Sequence, residues 1–401
     1  MALFKYIARD LKGTDKNGQI EANDAHSAAV MLRKQGLIVI SISPRTTANL
    51  KILDQYFNRV NSDSVVNFTR QIAIMIEAGL VLSEAVDILA EQQTQKRFKA
   101  ILQEISADLK GGLSFAASLS RYPDIFSPLY VSLIRAGETS GKLDEVLVRM
   151  ADTLEKEREF RARIKGAMIY PMVVVAMMFF VILIMMVFVI PRLTGFYEQS
   201  NLELPLPTKI LITISGLFVN FWWAMIIIVT SIIFGMRRFL STAHGKLSFD
   251  KLLLWIPKVG TLITNVILTN FNRTFALLTA AGIPMLDAIN IVKDVTSNSL
   301  YKEGLNSAYK GVESGLTFSQ QLIALPYFPR LMGQMVRVGE ETGKIDEIFS
   351  RLADYYESES DHAIKNLTVA IEPIILVVLG IGVAFLVISI ILPIYKLTTS
   401  F

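Results

Sequence analysis

The residues whose types and spacing most resemble a chemical site lie in the stretch RAGETSGKLDEVL, Arg135 to Leu147. Two glycines that enclose a short turn before a lysine are typical of loops whose backbone amides bind phosphate. The same pattern recurs as RVGEETGKIDEIF, Arg337 to Phe349. The sequence therefore offers either a nucleotide site present twice or a structural motif present twice.

The spacing of this motif differs from that of a Walker A loop, which has four residues between its glycines and a Ser or Thr after the lysine. Here three residues separate Gly137 from Gly141, and Leu143 follows the lysine. In addition, Glu138 would place a negative charge where phosphate oxygens need amide donors. We therefore predict that the motif binds no nucleotide.

Three other interpretations of the motif remain open: a purely structural corner that includes an Arg–Glu pair between two helices, a loop that faces a partner, and an acidic metal site. Turn chemistry explains the glycines, and acidic residues in the first turn of the next helix stabilise it by about 0.3–1 kcal/mol each. Turn chemistry does not explain the repeated arginine and glutamate, since exposed ion pairs contribute only about 0–1 kcal/mol. The sequence gives the metal site no support. The predicted partner-binding residues are Arg135, Glu138, Asp144, Glu145, Arg337, Glu340, Glu341, Asp346 and Glu347.

Composition excludes several classes of site elsewhere in the 401-residue chain. It has no cysteine, which excludes disulfides, zinc–thiolate sites and thiol catalysis. Its three histidines, His26, His244 and His362, have no ligand spacing. The formal net charge of +4 is too small to indicate nucleic acid as a partner. We predict no catalytic residue, no cofactor, no metal ligands and no enzymatic activity.

Three long apolar runs predict transmembrane helices at residues 168–190, 210–235 and 367–395. An apolar helix of about 20 residues crosses the hydrocarbon core of a bilayer. Each Leu, Ile, Phe or Val favours insertion by about 0.3–0.6 kcal/mol, whereas a central Lys or Asp opposes it by about 2.5–3.5 kcal/mol. Because the runs carry no central charge, we expect all three to insert.

Flanking charges predict the orientation of these spans. Basic residues precede the first span and follow the second, and the connection between them has an equal number of acidic and basic residues. The bias towards cytoplasmic Lys and Arg then places the N-terminus and residues 236–366 in the cytoplasm. The loop at 191–209 and the tail at 396–401 are expected to be periplasmic.

Three residues mark the joints between soluble and membrane segments. Pro171 and Pro373 stand at equivalent positions near the start of the first and third spans and are expected to allow a kink. Glu372 precedes the second of these prolines, and an ionisable group at a span is a functional candidate by default. Its position near the end of the span also allows it to reach the interface.

An internal repeat accounts for the second occurrence of the motif. Phe68–Ala85 matches Phe271–Ala288, with Phe, Arg, Ala-Gly and a final Ala at a constant offset of 203 (271 − 68). GGLSFAASL, which begins at Gly111, matches SGLTFSQQL, which begins at Ser314, at the same offset. One unit, a cytoplasmic domain followed by a span, is therefore present twice. Its arginines, Arg70 and Arg273, are predicted to be structural.

Apolar residues within each copy follow helical spacing, and glycine and proline separate the segments. We predict an all-α membrane protein with two cytoplasmic six-helix bundles, at 65–167 and within 236–366. A small ββαβ element is expected at 1–48, followed by a linker at 49–64.

The doubled motifs, with F-x-R…AG, G-L-S/T-F and GE-x-x-GK-I/L-D-E, resemble the type II secretion F / type IV pilus assembly platform family over essentially the whole chain. This resemblance implies a bacterial inner-membrane protein without enzymatic activity, which forms homo-oligomers at the centre of an assembly machine. The implied partners are a hexameric assembly ATPase, pilins or pseudopilins, other inner-membrane assembly proteins and the lipid bilayer.

The resemblance also implies a mechanical role, in which ATPase motion passes along the helix Leu143–Lys165 and its equivalent Ile345–Asn366 into the spans. A duplicated transporter or channel subunit is the alternative function, because duplicated halves are common in such proteins. Polar groups inside the spans are few, with Asn220, Thr230 and Ser231 the main ones in the second. Whether the machine secretes proteins or extends a retractile or MSHA-type pilus stays open.

Overall fold

The structure is a computed structural model, and it describes residues 2–10, 15–22, 27, 29, 31–32, 37–44, 60–192, 195 and 205–399. The chain divides into two compact units, one of residues 1–61 with Gln92–Ile101 and the other of Ser62–Glu91 with Leu102–Phe401. Most of the predicted linker at 49–64 and of the predicted loop at 191–209 lies outside the described residues, as do the last two residues of the predicted tail.

The first unit contains an antiparallel sheet of three strands, β1 (Ala2–Asp10), β2 (Asp15–Ala22) and β3 (Leu37–Pro44), in the order β2-β1-β3. The described residues between β2 and β3 are helical at 27, 29, 31 and 32. Ala8, Leu32 and Leu37 form the small core of this unit, with Tyr6 and Val39 packed against it.

The first copy of the repeat consists of helices separated by the turn signals that its sequence contains. Their bounds are α1 (Ser62–Glu77), α2 (Leu82–Gln92), α3 (Lys96–Lys110), α4 (Phe115–Ser120), α5 (Pro128–Ser140) and α6 (Leu143–Ile184). A π-helical turn, Met185–Val189, extends α6. The structure therefore confirms a bundle of six helices whose last member continues into an apolar segment.

The second copy repeats this order after two connecting apolar helices and one shorter helix. The connecting helices are α7 (Leu206–Asn220), α8 (Trp222–Leu240) and α9 (Ala243–Trp255). The copy itself consists of α10 (Val259–Ala280), α11 (Met285–Val295), α12 (Ser299–Glu313), α13 (Phe318–Ala324), α14 (Arg330–Thr342) and α15 (Ile345–Thr399).

Matched aromatic residues form the cores of the two copies. In the first, Phe68 packs against Phe126, with ring centroids 6.1 Å apart. In the second, the equivalent Phe271 packs against Phe328 at 5.2 Å and against Phe349 at 6.3 Å. Aromatic pairs of this kind contribute about 0.5–1.5 kcal/mol beyond their buried area. The repeated phenylalanine of the F-x-R motif is thus a core residue in both copies.

Three helices in the described part are long and apolar enough to cross a membrane: Leu143–Arg192 with its π turn, Trp222–Leu240 and Ile345–Leu392. Two of them are the last helices of the copies, so bundle and span share one helix, as the sequence predicts. The helix α6 continues through Pro171, which lies inside it. The bent pair α9 and α10 would count as a fourth span by length and composition alone.

The region predicted as a second span, residues 210–235, is divided between two helices in the structure. α7 ends at Asn220 and α8 begins at Trp222, because Phe221 between them leaves helical geometry at φ −119° and ψ 25°. The candidate span is α8, and α7 is a shorter apolar helix. The tail predicted at 396–401 is helical up to Thr399.

Helix α7 packs between the two long helices. Leu211 forms a buried cluster with Met186 and Ile190 of the first. Its hydroxyls also bind backbone carbonyls: Ser215 donates to the Met186 carbonyl of the π turn at 2.5 Å, and Thr208 donates to the Ser389 carbonyl of α15 at 2.7 Å. The Ile190 amide bonds to the Met185 carbonyl in this turn, and Pro191 has no N–H to offer the Met186 carbonyl, so Ser215 supplies the donor.

Candidate functional site

The repeated corner is the turn between α5 and α6, residues 135–147, and its counterpart between α14 and α15, residues 337–349. A Cβ added at Gly137 would lie 3.1 Å from Cα of Leu143, and one at Gly339 would lie 3.1 Å from Cα of Ile345. The absence of a side chain at these positions therefore lets the two helices of each corner approach closely.

The second glycine of each corner has a different role, which is to end a helix. Gly141 has φ 69° and Gly343 has φ 70°, the left-handed conformation that glycine adopts at helix ends without steric cost. The next amide then bonds back, from Lys142 to the Gly137 carbonyl at 2.9 Å and from Lys344 to the Gly339 carbonyl at 3.1 Å. Backbone geometry thus accounts for both glycines of the motif.

The glutamate of each corner binds the N-terminus of the short helix that begins in the G-L-S/T-F motif. Glu138 accepts hydrogen bonds from the backbone N–H groups of Phe115, at 2.5 Å, and Ala116, at 3.0 Å. Ser114 accepts from the Ala117 amide in the same turn. The first amides of a helix have no intrahelical acceptor, so the carboxylate satisfies two of them and complements the helix dipole.

The second copy forms the same contact with one addition. Glu340 accepts from the Phe318 amide at 2.8 Å and from the Ser319 amide at 3.3 Å, and the Ser319 hydroxyl also donates to it. The G-L-S/T-F motif and the GE-x-x-GK motif therefore contact each other in both copies. This contact was not predicted from the sequence, because the bonded groups lie more than 20 residues apart. The only signal for it in the sequence was that both motifs occur in both copies.

The other predicted partner-binding residues lie at the surface of the corners. Arg135, Asp144 and Glu145 are exposed, and Lys142 approaches Glu145 at 3.5 Å. In the second copy Arg337 donates to Glu341 of its own helix at 2.8 Å, and Lys344 approaches Glu347 at 3.8 Å. The Arg–Glu pair that the sequence suggested between two helices is thus not formed by the arginines of the motif.

An Arg–Glu pair between helices does occur at the arginine of the F-x-R motif. Arg70 of α1 binds both carboxylate oxygens of Glu155 in α6, at 2.8 and 2.5 Å, and it also binds Asp152. This bidentate geometry holds the pKa of Glu155 below its usual value, because the hydrogen bonds from Arg70 favour the ionised carboxylate. The contact ties the first helix of the bundle to the helix that enters the apolar segment.

The equivalent arginine of the second copy has a different set of partners. Arg273 is buried and pairs with Glu357 of α15, which Arg163 of the first copy also binds. Asp354, the equivalent of Asp152, lies 3.7 Å from Lys156 of the first copy instead. The carboxylates of the second copy therefore join the two copies as well as stabilising their own bundle.

A buried aromatic residue lies at this junction between the copies. Phe160 of α6 is 1% exposed, and the guanidinium carbons of Arg163 and Arg273 lie 5.9 Å from its ring centroid. Arg163 also approaches Asp361 at 3.5 Å. The two helices that continue into the apolar segments are thus connected by charged and aromatic contacts just before those segments begin.

Beside this junction is a charged cleft of about 310 Å³ between the copies. Its walls come from α6, α10 and α15 and include Arg149, Lys156, Arg273, Asp346 and Glu347. The acidic pair of the second corner therefore lines the cleft, whereas the matching pair of the first corner does not. Among the described residues, the buried Nη1 of Arg273 has no hydrogen-bond partner.

The predicted joint residues do not form a cluster. Pro171 is buried within α6, whereas Glu372 and Pro373 are exposed on α15. In the part of the chain that the structure describes, no group of three His, Cys, Asp or Glu side chains is arranged to hold a metal ion.

Comparison with known proteins gives matches over both copies and the N-terminal unit. The family model described as type II secretion system (T2SS), protein F, matches residues 68–191 and again residues 271–393. The model described as type II secretion system protein F, N-terminal domain, matches residues 1–43. The two intervals that match the protein F model begin at Phe68 and Phe271, where the two copies of the repeat in the sequence also begin.

Curated relatives match over nearly the full length of the chain. The type IV pilus assembly protein PilC of Thermus thermophilus is 36% identical over 99% of this chain and 98% of its own. The type II secretion system protein F of Xanthomonas campestris is 31% identical over 100% of both chains. The type IV pilus assembly protein PilC of Pseudomonas aeruginosa is 31% identical over 91% of this chain and 97% of its own.

Proposed function

The chain belongs to the type II secretion system protein F family, and we propose on that basis that it couples a cytoplasmic assembly ATPase to pilin or pseudopilin assembly. It is an inner-membrane platform protein of a type IV pilus or type II secretion machine. In the proposed orientation the N-terminus and both bundles are cytoplasmic and the C-terminus is periplasmic. The reason is that the basic residues flanking the spans lie at their bundle ends, and such residues favour the cytoplasmic side. The proposed role is mechanical, with a homo-oligomer as the working form.

The observation that carries this proposal is the continuity of α6 and α15. Each runs without interruption from a corner of its bundle into the apolar segment. A continuous helix is a stiff element, so that a displacement of the corner is transmitted to the span. The ion pairs of Arg70 and Arg273 fix each of these helices to the first helix of its own bundle.

A flexible insertion tests the mechanical role. Gly-Gly-Ser placed after Lys165 of α6 and again after Lys365 of α15 would uncouple both bundles from their spans at exposed positions. We expect membrane insertion and ATPase association to persist while fibre or pseudopilus assembly is lost. The same insertion after Gly315, in an exposed turn, is the matched control. Normal assembly with both long helices interrupted would refute the mechanical role.

The repeated corners are the proposed contact surface for the ATPase. A residue that tests this surface must be exposed and must not stabilise the bundle. Reversal of Glu138 would also destroy the cap on α4, so it cannot separate binding from stability. Asp144 and Glu145 are exposed and suit the test. We expect D144K/E145K to weaken association of the ATPase in co-purification. The control E303K/E313K reverses two exposed carboxylates of α12; equal association of both variants would contradict the proposed surface.

A further inference from the structure

Helix α9 begins where the candidate span α8 ends. Only Ser241 and Thr242 separate them, and Thr242 caps α9 by accepting from the Gly245 amide at 3.1 Å. A Cβ at Gly245 would lie 2.1 Å from the Phe239 carbonyl oxygen, so the turn closes only with glycine at this position. The first turn of α9 is thereby held against the end of this candidate span.

The other end of α9 is fixed by a second tight turn. α9 and α10 meet at an angle of 111°. Lys258 in this turn has φ 65°, and a Cβ at Gly260 would lie 2.1 Å from the Leu254 carbonyl oxygen. α10 packs in the bundle against α15, the helix that becomes the third span, through Phe275 and Phe349. α9 is therefore turned sharply out of the direction of α10.

One face of α9 binds the bundle. Asp250 accepts a hydrogen bond from the Ser299 amide at 2.7 Å, at the N-terminus of α12. Asp250 is also the only acidic residue between positions 205 and 286. The single negative charge of this region is thus turned inward, and the orientation of the helix about its own axis is set.

The opposite face of α9 is exposed and carries apolar and basic side chains. Leu252 is 55% exposed and Trp255 is 81% exposed, and Lys251 lies on the same face. Exposed cations lie on this face and at both ends of α9: Lys251 within the face, Lys258 in the turn that follows, and Arg237 and Arg238 in the last turn of α8. Lys246 is exposed as well, but it stands four residues before Asp250 and so shares the face of that residue. Within the described residues none of these five forms an ion pair, so their charge is uncompensated.

We propose that α9 is an interfacial helix that binds anionic phospholipid headgroups. A helix with Trp and Leu on one face among basic residues lies in the plane of the interface with its apolar side chains at the boundary between headgroups and acyl chains. Tryptophan favours this level of the bilayer. Arg237, Arg238, Lys251 and Lys258 bind the lipid phosphates, and the anionic lipids of the cytoplasmic leaflet attract them. This inference uses the proposed orientation of the spans and is independent of any ATPase contact.

The absence of cysteine from the chain allows a site-specific test with the full-length protein. L252C labelled with an environment-sensitive fluorophore is reconstituted in nanodiscs of phosphatidylcholine with phosphatidylglycerol and a headgroup-nitroxide lipid. L316C, at a leucine of the second copy that is 49% exposed, is the matched control. We expect several-fold stronger quenching and a shift to shorter emission wavelength at position 252. Equal quenching at both positions overturns the proposal.

The lipid charge is tested in the same system. We expect quenching at position 252 to rise with the fraction of phosphatidylglycerol, and K251E/K258E to abolish this rise while leaving secondary structure unchanged. Both lysines are exposed, so the variant preserves the contacts that fold the helix. Quenching that is independent of phosphatidylglycerol in the unsubstituted background would refute the recognition of anionic headgroups.

Discussion

Removal of the Glu138 carboxylate should open the short helix α4 locally without unfolding the bundle. Glu138→Ala leaves two amides of the first turn, those of Phe115 and Ala116, without their acceptor. Loss of a helix cap destabilises by about 0.5–2 kcal/mol. Loss of a charge at the positive end of the dipole adds about 0.3–1 kcal/mol. We expect about 2 kcal/mol in total, because the Ser114 cap remains.

Hydrogen exchange measured by mass spectrometry on the full-length protein in nanodiscs would detect this opening. A change of about 2 kcal/mol corresponds to roughly 30-fold faster exchange of the amides in α4, since about 1.4 kcal/mol is tenfold. Glu145→Ala is the matched control, because that carboxylate is exposed and, within the described residues, forms an ion pair only with Lys142, at 3.5 Å. Unchanged protection of α4 in the Glu138 variant, or an equal loss in the control, would refute the capping role.

Two further predictions concern contacts that other helices make with α6 and with the π turn that extends it. Arg70→Met should lower the melting temperature, and the loss should be largest at neutral pH. The pKa of Glu155 is depressed in the folded state, so this pair stabilises the protein above the pKa that Glu155 has in the unfolded chain, and the stabilisation is lost as the pH falls through the pKa of the folded state. The melting temperatures of the variant and the unsubstituted protein should therefore converge in acid. Ser215→Ala should destabilise the protein by about 1–3 kcal/mol by leaving the π-turn carbonyl unpaired. In thermal melts Thr213→Ala, which loses only an exposed bond to its own helix, should have a smaller effect.

Periodicity and hydropathy were sufficient for the architecture, because both signals are local. The constant offset predicted a duplicated domain, which the family model matches twice, and the uncharged runs predicted three membrane spans, for which the described residues contain three candidate helices. Hydropathy does not detect the break at Phe221 between two apolar helices. Neither does it detect the π turn that Ser215 stabilises.

The roles of individual residues depended on tertiary contacts that a single sequence does not contain. Glu138 was selected as a partner residue, yet its carboxylate lies on the N-terminus of a helix more than 20 residues earlier. The two acidic pairs after the glycines look equivalent in sequence. Only in the structure does Asp346 line the cleft between the copies while Asp144 stays at an outer surface. Packing of one copy against the other breaks the symmetry that the repeat suggests.

This broken symmetry bears on how motion would reach the membrane. Arg163 of α6 binds Glu357 of α15, so the two long helices are joined close to the point where their apolar segments begin. Further along, α7 joins them again, because Ser215 bonds to the π turn after α6 and Thr208 bonds to α15. Two helices connected at both levels cannot tilt independently. A force on either corner should therefore move both spans together, which makes the pair, rather than each bundle with its own span, the mechanical unit.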